Sequence, residues 1–415
     1  MAMMFIKKYV LQALDENSFA IMIIMIVLMT GLITPVVMTI YKPARRLGTY
    51  RWRAIQRKKD IADLRVLVCI HTPRNVATII NLLEASNPNK QSPICILVLH
   101  LIELTGRASS MLMVHNIRES GQSAINQTQP ESDHIIKAFK NLEMKTGSIS
   151  VNYFTANSPY STMHEDICNL AEDKCATFII LPFHKQQTVD GRMAPINPEF
   201  RTLNQNVLAK APCSVGILID RGLSGSARSS IDQLLSHRIA VLFFGGPDDR
   251  EALAYAVRMA ERPANSLSVI RFLPNEHAAY HPAMKAKHEK GAGPRQLLTL
   301  GRTEEERQKQ LDDDYIGDVR MGMRNDETFI YREMMVNNGE ETLGAIRSVD
   351  DNHDLFIVGR GQGMESPLTA GLTDWSECPE LGVIGDLLAS SDFAVRVSVL
   401  IVRQYVGVGP LEEGM

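Results

Sequence analysis

LRVLVCIHTP, residues 64–73, decides the fold. Its first eight residues form a short, mostly apolar run rich in branched side chains, the composition of a strand buried on both faces. Thr72 and Pro73 follow as an N-cap and a first-turn proline. Val76, Ile79, Ile80 and Leu83 then recur at i, i+3, i+4 and i+7, one face of a helix. A second strand, ICILVLHL, covers 94–101. The order continues with a helix near 132–145, a strand near 149–154 and a helix near 161–174. TFIILPF at 177–183, a helix near 199–210 and CSVGILI at 213–219 complete it.

The second half of the chain repeats the pattern. RIAVLFFGG at 238–246 leads into Pro247, the equivalent of Pro73, and Leu253, Ala256, Val257 and Ala260 line a helix face. SLSVIRFL at 266–273 is the second strand, a polar stretch at 274–302 reads as an inserted loop, and a charged helix and the strand TFIYREM at 328–334 follow. DLFIVG at 354–359 matches TFIILPF, and AVRVSVLIV at 394–402 matches CSVGILI. Apolar strands alternating with amphipathic helices predict an α/β fold of two tandem Rossmann-like parallel-sheet domains, at 63–221 and 237–405, each sheet covered on both faces. The Ser/Gly-rich segment at 222–230 opens a flexible linker, 222–236, and 406–415 reads as a tail.

The 415 residues suffice for two or three domains. A net charge of −3 argues against a nucleic-acid partner. None of the six cysteines forms a C-x-x-C pair, so they read as reduced thiols, and no metal-ligand spacing is present.

After a short loop at 1–18 comes FAIMIIMIVLMTGLITPVVMTIY, residues 19–41, without a charge. As a helix this run extends about 34 Å, enough to cross a hydrocarbon core of about 30 Å. It therefore predicts a transmembrane helix, and Gly31 and Pro35 are tolerable inside one. Eight basic residues follow in the linker 42–62: Lys42, Arg45, Arg46, Arg51, Arg53, Arg57, Lys58 and Lys59. They place the bulk of the chain on the cytoplasmic side and suit contact with anionic lipid headgroups.

Three long segments carry a family resemblance. Residues 359–391, GRGQGMESPLTAGLTDWSECPELGVIGDLLASS, resemble the C-terminal signature of plant cation/H+ exchangers. Residues 190–222 resemble another block of that family, and Asp15 to Lys42 resembles its last membrane helix with its flanks. The resemblance implies a membrane protein exchanging a monovalent cation, mainly K+, for H+. This chain would be its last helix and its cytosolic tail, whose halves are similar to universal-stress-protein folds. The rest of the transmembrane core is then an expected partner, as is a second copy in a homodimer. The ion-binding residues would lie upstream, and none can be carried over. A self-standing, membrane-tethered nucleotide- or protein-binding module of the stress-protein type is the other reading.

Gly359, Arg360, Gly361 and Gly363 follow the strand DLFIV at the edge where α/β sheets bind ligands. ATP-binding stress proteins place glycines there, so ATP or another nucleotide is the candidate ligand of the second domain. Two features oppose it: Gln362 breaks the glycine spacing, and Asp248 and Asp249 open the neighbouring helix with like charge. TDWSECPELG at 373–382, with Asp374, Trp375 and Glu377, offers either a helix-capping loop or a partner surface. Ser229, after Arg228 in the linker, is the best-placed phosphosite. His71 and His100 end strands and are candidate sensors of cytosolic pH. No nucleophile elbow, paired carboxylates or Cys/His dyad stands in a catalytic setting, so an enzyme is not expected.

Overall fold

The computed structural model describes residues 21, 24–31, 54–56, 64–86, 88, 92–104, 111–115, 129–188, 193–223, 237–274, 295–324, 326–350, 353–361, 366–372, 376–390 and 397–405. The chain forms two compact units, residues 1–51 and 52–415. In the first, residues 24–31 are helical and their apolar side chains, Ile24, Met25 and Val27 among them, are exposed. The transmembrane stretch expected at 19–41 continues on both sides of this segment into residues outside the described set. Among the described residues, no helix is long and apolar enough to cross a membrane.

The second unit is an α/β structure. Its first half runs β1 (Leu64–Ile70), α1 (Asn75–Ala85), β2 (Ile94–Glu103), β3 (Met111–His115), α2 (Gln129–Thr146), β4 (Ile149–Ser158), α3 (Tyr160–Asp173) and β5 (Phe178–Pro182). A small hairpin, β6 (Lys185–Gln187) and β7 (Met193–Pro195), precedes α4 (Pro198–Lys210) and β8 (Ser214–Ile219). The second half runs β9 (Arg238–Phe243), α5 (Pro247–Ala260), β10 (Ser266–Pro274), α6 (Arg295–Gly322), β11 (Phe329–Val336), α7 (Gly339–Asp350), β12 (Leu355–Gly359), α8 (Gly382–Ala389) and β13 (Ser398–Arg403).

The expected α/β fold of two tandem, mostly parallel halves is present. The halves share one sheet of eleven strands, in the order β11-β10-β9-β12-β13-β8-β5-β1-β2-β4-β3. Outward from the seam, both halves show the same arrangement: last strand, next-to-last, first, second, then a middle strand. The last strands, β8 and β13, meet antiparallel with Ile217 opposite Ile401. The other pairings in this sheet are parallel, except that β3 runs antiparallel along β4. The reason is the edge. Each half alone would leave the backbone of its final strand unpaired, and two like edges related by a two-fold meet antiparallel.

The core is continuous across the seam. On one face Ile179, Val215, Val399 and Phe356 belong to one buried cluster. On the other, Phe178, Leu218, Leu400 and Ile357 belong to a second. Gly216 sits where these layers are tightest: a Cβ there would fall 2.6 Å from Phe178 Cζ and 3.0 Å from Leu400 Cδ1.

The polar insert is shorter than its composition suggests. β10 runs to Pro274 and α6 starts at Arg295, not after 302, and residues 275–294 lie outside the described set. Helix α7 went unread because only Leu343, Ile346 and Val349 mark its apolar face. Asn338 starts it by accepting the Glu341 N–H at 2.9 Å.

Candidate functional site

The loops after β9 and β12 meet the first turn of α5 at the C-terminal edge of the sheet, where the nucleotide was expected. Gly245 and Gly246, at φ +112° and +97°, turn the chain so that Pro247 can open the helix. The free amides of this turn are answered by the helix itself. Asp249 Oδ2 accepts the N–H groups of Phe244 and Gly245 at 2.7 and 2.8 Å, and Oδ1 accepts that of Gly359 at 2.7 Å. Asp248 Oδ1 accepts the Gln404 N–H at 2.8 Å. Asp312 of α6 accepts the Gly246 N–H at 2.9 Å and pairs with Arg250. Burial pushes the Asp249 carboxyl up to about 7, against the pull of its three amide bonds.

This geometry corrects the nucleotide expectation. The amides that would cradle a phosphate already hold carboxylate oxygens, and a phosphate would have to displace a buried aspartate. Arg360 is committed as well: its N–H bonds the Val402 carbonyl and its Nε the Glu380 carbonyl, both at 2.7 Å. Gly361 faces open space at φ +73°, and Gly363 lies outside the described residues.

A second cluster lies at the seam. Asp386 of α8 accepts the N–H groups of Glu377 and Cys378 at 2.9 and 2.8 Å, which fixes the loop ahead of that helix. The loop docks on the first half. Arg201 of α4 donates to the Glu377 carbonyl at 2.7 Å, and its Nε lies 3.2 Å from Glu380 Oε1. Lys185 pairs with the Glu377 carboxylate at 2.7 Å. His184, just past β5, stands with Nδ1 3.6 Å from Glu380 Oε1 and Nε2 4.0 Å from Cys378 Sγ. Burial draws His184 down to about 4 and pushes Cys378 up to about 11, so the imidazole is neutral and the thiol protonated at neutral pH. Glu377, expected on a partner surface, is thus turned onto this chain's own Lys185. Asp374 and Trp375 lie outside the described residues, as does Ser229.

A third arrangement pins the incoming chain. Glu251 of α5 is fully buried. It accepts the N–H groups of Ile55 and Gln56 at 2.6 and 3.1 Å and the Ser214 hydroxyl at 2.7 Å. Gln56 in turn accepts from the Gln404 side chain at 2.9 Å. The end of the basic linker is therefore fastened to α5, β8 and the segment after β13 together.

The sequence does not single out His184, Arg201 or Glu251, while Cys378 and Glu380 lie inside the block TDWSECPELG read there as a capping loop or a partner surface. The histidines singled out at strand ends read differently in place. His71 stacks on Phe200 with ring centroids 4.2 Å apart, and neither of its buried nitrogens has a hydrogen-bond partner. Burial, with a contribution from His100, draws it down to about 3, so it stays neutral across cytosolic pH. His100 Nδ1 bonds the Ser132 hydroxyl at 2.9 Å.

Residues 96–223 match a family model described as the plant cation/H(+) antiporter domain, and 236–403 match the plant cation/H(+) antiporter C-terminal domain. The chain belongs to the plant cation/H(+) antiporter family. Cation/H(+) antiporter 15 of Arabidopsis thaliana is 58% identical over 97% of this chain and 48% of its own length. Cation/H(+) antiporter 23, chloroplastic, of the same plant is 43% identical over 95% of this chain and 44% of its own length. The chain spans about half the length of the antiporters it matches. Among solved structures, a universal stress protein from Archaeoglobus fulgidus overlaps 82% of this chain and 96% of its own at 12% identity, with a TM-score of 0.39, too loose an overlap to carry an argument.

Proposed function

We propose that this chain is the regulatory cytosolic tail of a membrane antiporter that exchanges K+ or another monovalent cation for H+ and so serves cation and pH homeostasis. The observation that supports this reading most is the Glu251 pin. The chain leaving the basic linker is hydrogen-bonded at Ile55 and Gln56 to a buried carboxylate beside the seam. A change in how the two halves pack therefore reaches the one segment that leads toward the apolar run at 19–41. The chain supplies no ion pathway of its own in this reading, because that run holds no ionisable residue. The basic residues 42–59 lie against anionic lipid, and the transmembrane core is the partner the tail acts on.

The test is transport in yeast lacking K+ uptake. An antiporter ending in this chain restores growth, and the 415 residues alone do not. Removing 52–415, or replacing Glu251→Gln, changes the pH and cation dependence of uptake at equal protein abundance. Unchanged dependence in both variants would remove the regulatory role, and rescue by the chain alone would overturn the assignment as a tail.

A further inference from the structure

We propose that His184, Cys378 and Glu380 form a site for one zinc-class divalent cation, which clasps the two halves of the sheet together. One donor atom from each residue lies within 4.8 Å of the other two, and all three residues are buried. His184 comes from the first half, Cys378 and Glu380 from the second. The site does not depend on the transport reading.

An unsatisfied buried atom points to a ligand. The His184 and Glu380 side chains are 4% and 2% exposed; His184 Nδ1 has no hydrogen-bond partner, and Glu380 Oε1 is met only by the Arg201 guanidinium, in an ion pair of 3.2 Å. The 3.6 Å between Nδ1 and Oε1 is too long for a hydrogen bond, and a buried polar atom left unpaired calls for an explanation. A tetrahedral zinc centre, with bonds of about 2.0–2.3 Å, sets its donors about 3.3–3.7 Å apart. Glu380 Oε1 lies 3.6 Å from Nδ1 and Cys378 Sγ 4.0 Å from Nε2, and one donor atom per residue lies within 4.8 Å of the others, so a small closure brings one nitrogen and both partners to that spacing. One imidazole nitrogen ligates, selected by rotation of the ring about Cβ–Cγ.

The surroundings fit. Arg201 and Gln205 donate to Glu380 Oε2, and Oε1, 3.2 Å from Arg201 Nε, also faces His184. Lys185 pairs with Glu377 and also lies beside the Cys378 thiol, from which the incoming cation would displace it. The two amide bonds to Asp386 hold the Cys378 backbone in place, the outer support that metal ligands commonly have. Imidazole, thiolate and carboxylate together select zinc-class ions over Mg2+, Ca2+ or K+. On binding, the Cys378 S–H bond breaks, its proton passes to water and an S–metal bond forms. A thiolate and a carboxylate then balance the two positive charges, and water completes the tetrahedron.

Cobalt(II) titration of the full chain in detergent micelles tests the site. We expect one Co2+ per chain, with the d–d bands of a tetrahedral centre and a thiolate-to-cobalt charge-transfer band, and displacement by Zn2+. Cys378→Ser should abolish the charge-transfer band and His184→Ala should weaken binding at least tenfold, while Cys175→Ser, at an exposed cysteine, changes neither. No thiolate band in the wild-type chain, or a band that survives Cys378→Ser, overturns the proposal. If Cys378→Ser does not fold, alkylation of the wild-type chain decides: Zn2+ should protect Cys378 and not Cys175, and equal labelling with and without Zn2+ refutes the site.

Discussion

Asp249 Oδ1 lies 2.7 Å from the backbone nitrogen of Gly359, and a Cβ built on Gly359 would fall 2.3 Å from that same oxygen. The glycine after β12 is required because an aspartate approaches it, not because a phosphate does. The other atoms that Cβ would meet are backbone, Asp249 N at 2.6 Å and Asp248 C at 2.7 Å, so α5 itself would have to move.

Gly359→Ala should therefore cost at least about 3 kcal/mol, at the upper end of overpacking effects. Gly361→Ala, with open space around it and only a left-handed φ to strain, should cost about 1–2 kcal/mol. Chemical denaturation of both variants measures the difference, and equal costs would refute the close-approach argument.

ATP at millimolar concentration should leave Tm unchanged. A nucleotide at a hundred times its Kd would add about 2.7 kcal/mol, a shift that thermal denaturation resolves easily. The amides of Phe244, Gly245 and Gly359 are already bonded to Asp249, so they are not free to hold phosphates.

His71 makes a signed pH prediction. Burial draws it down to about 3, while in the unfolded chain it takes up a proton near 6.5. Between those values the unfolded state binds the extra proton, so stability falls as pH drops below about 6.5, by up to about 1.4 kcal/mol per pH unit. His71→Phe keeps the stack on Phe200 and removes the proton, and should flatten the slope of Tm against pH between 5 and 7. An unchanged slope would mean that the ring is solvated.

The two ion pairs of the seam should differ in strength. Arg201→Ala leaves the 2%-exposed Glu380 carboxylate without its cation and should cost about 3 kcal/mol. Lys185→Ala breaks a pair whose Glu377 side chain is 69% exposed and should cost no more than about 1 kcal/mol. Urea melts of the two single variants test the ranking.

Most of the secondary structure was legible because it is written locally. LRVLVCIH, TFIILPF and DLFIVG carry two-sided apolar strands in their own letters, and Pro73 and Pro247 mark the repeat. What was not legible depends on residues far apart in the chain. His184 meets Cys378 and Glu380 across nearly two hundred residues, where no spacing rule applies. Gly359 looks the same in sequence whether it faces a phosphate or an aspartate. The seam was hidden for the same reason: nothing in CSVGILI or AVRVSVLIV says that each will find the other rather than end its own sheet. The apolar run at 19–41 is legible in composition, and most of it falls outside the described residues.

The antiparallel meeting of Ile219 with Val399 also has a consequence in time. A ribosome adding about 5–20 residues per second needs roughly 9–36 s to travel from one strand to the other. Throughout that interval the completed first half carries β8 as a bare edge, able to pair with any nascent neighbour. Newly made chains therefore pass through a window in which self-association competes with completion, and a chain interrupted before Val399 never leaves it.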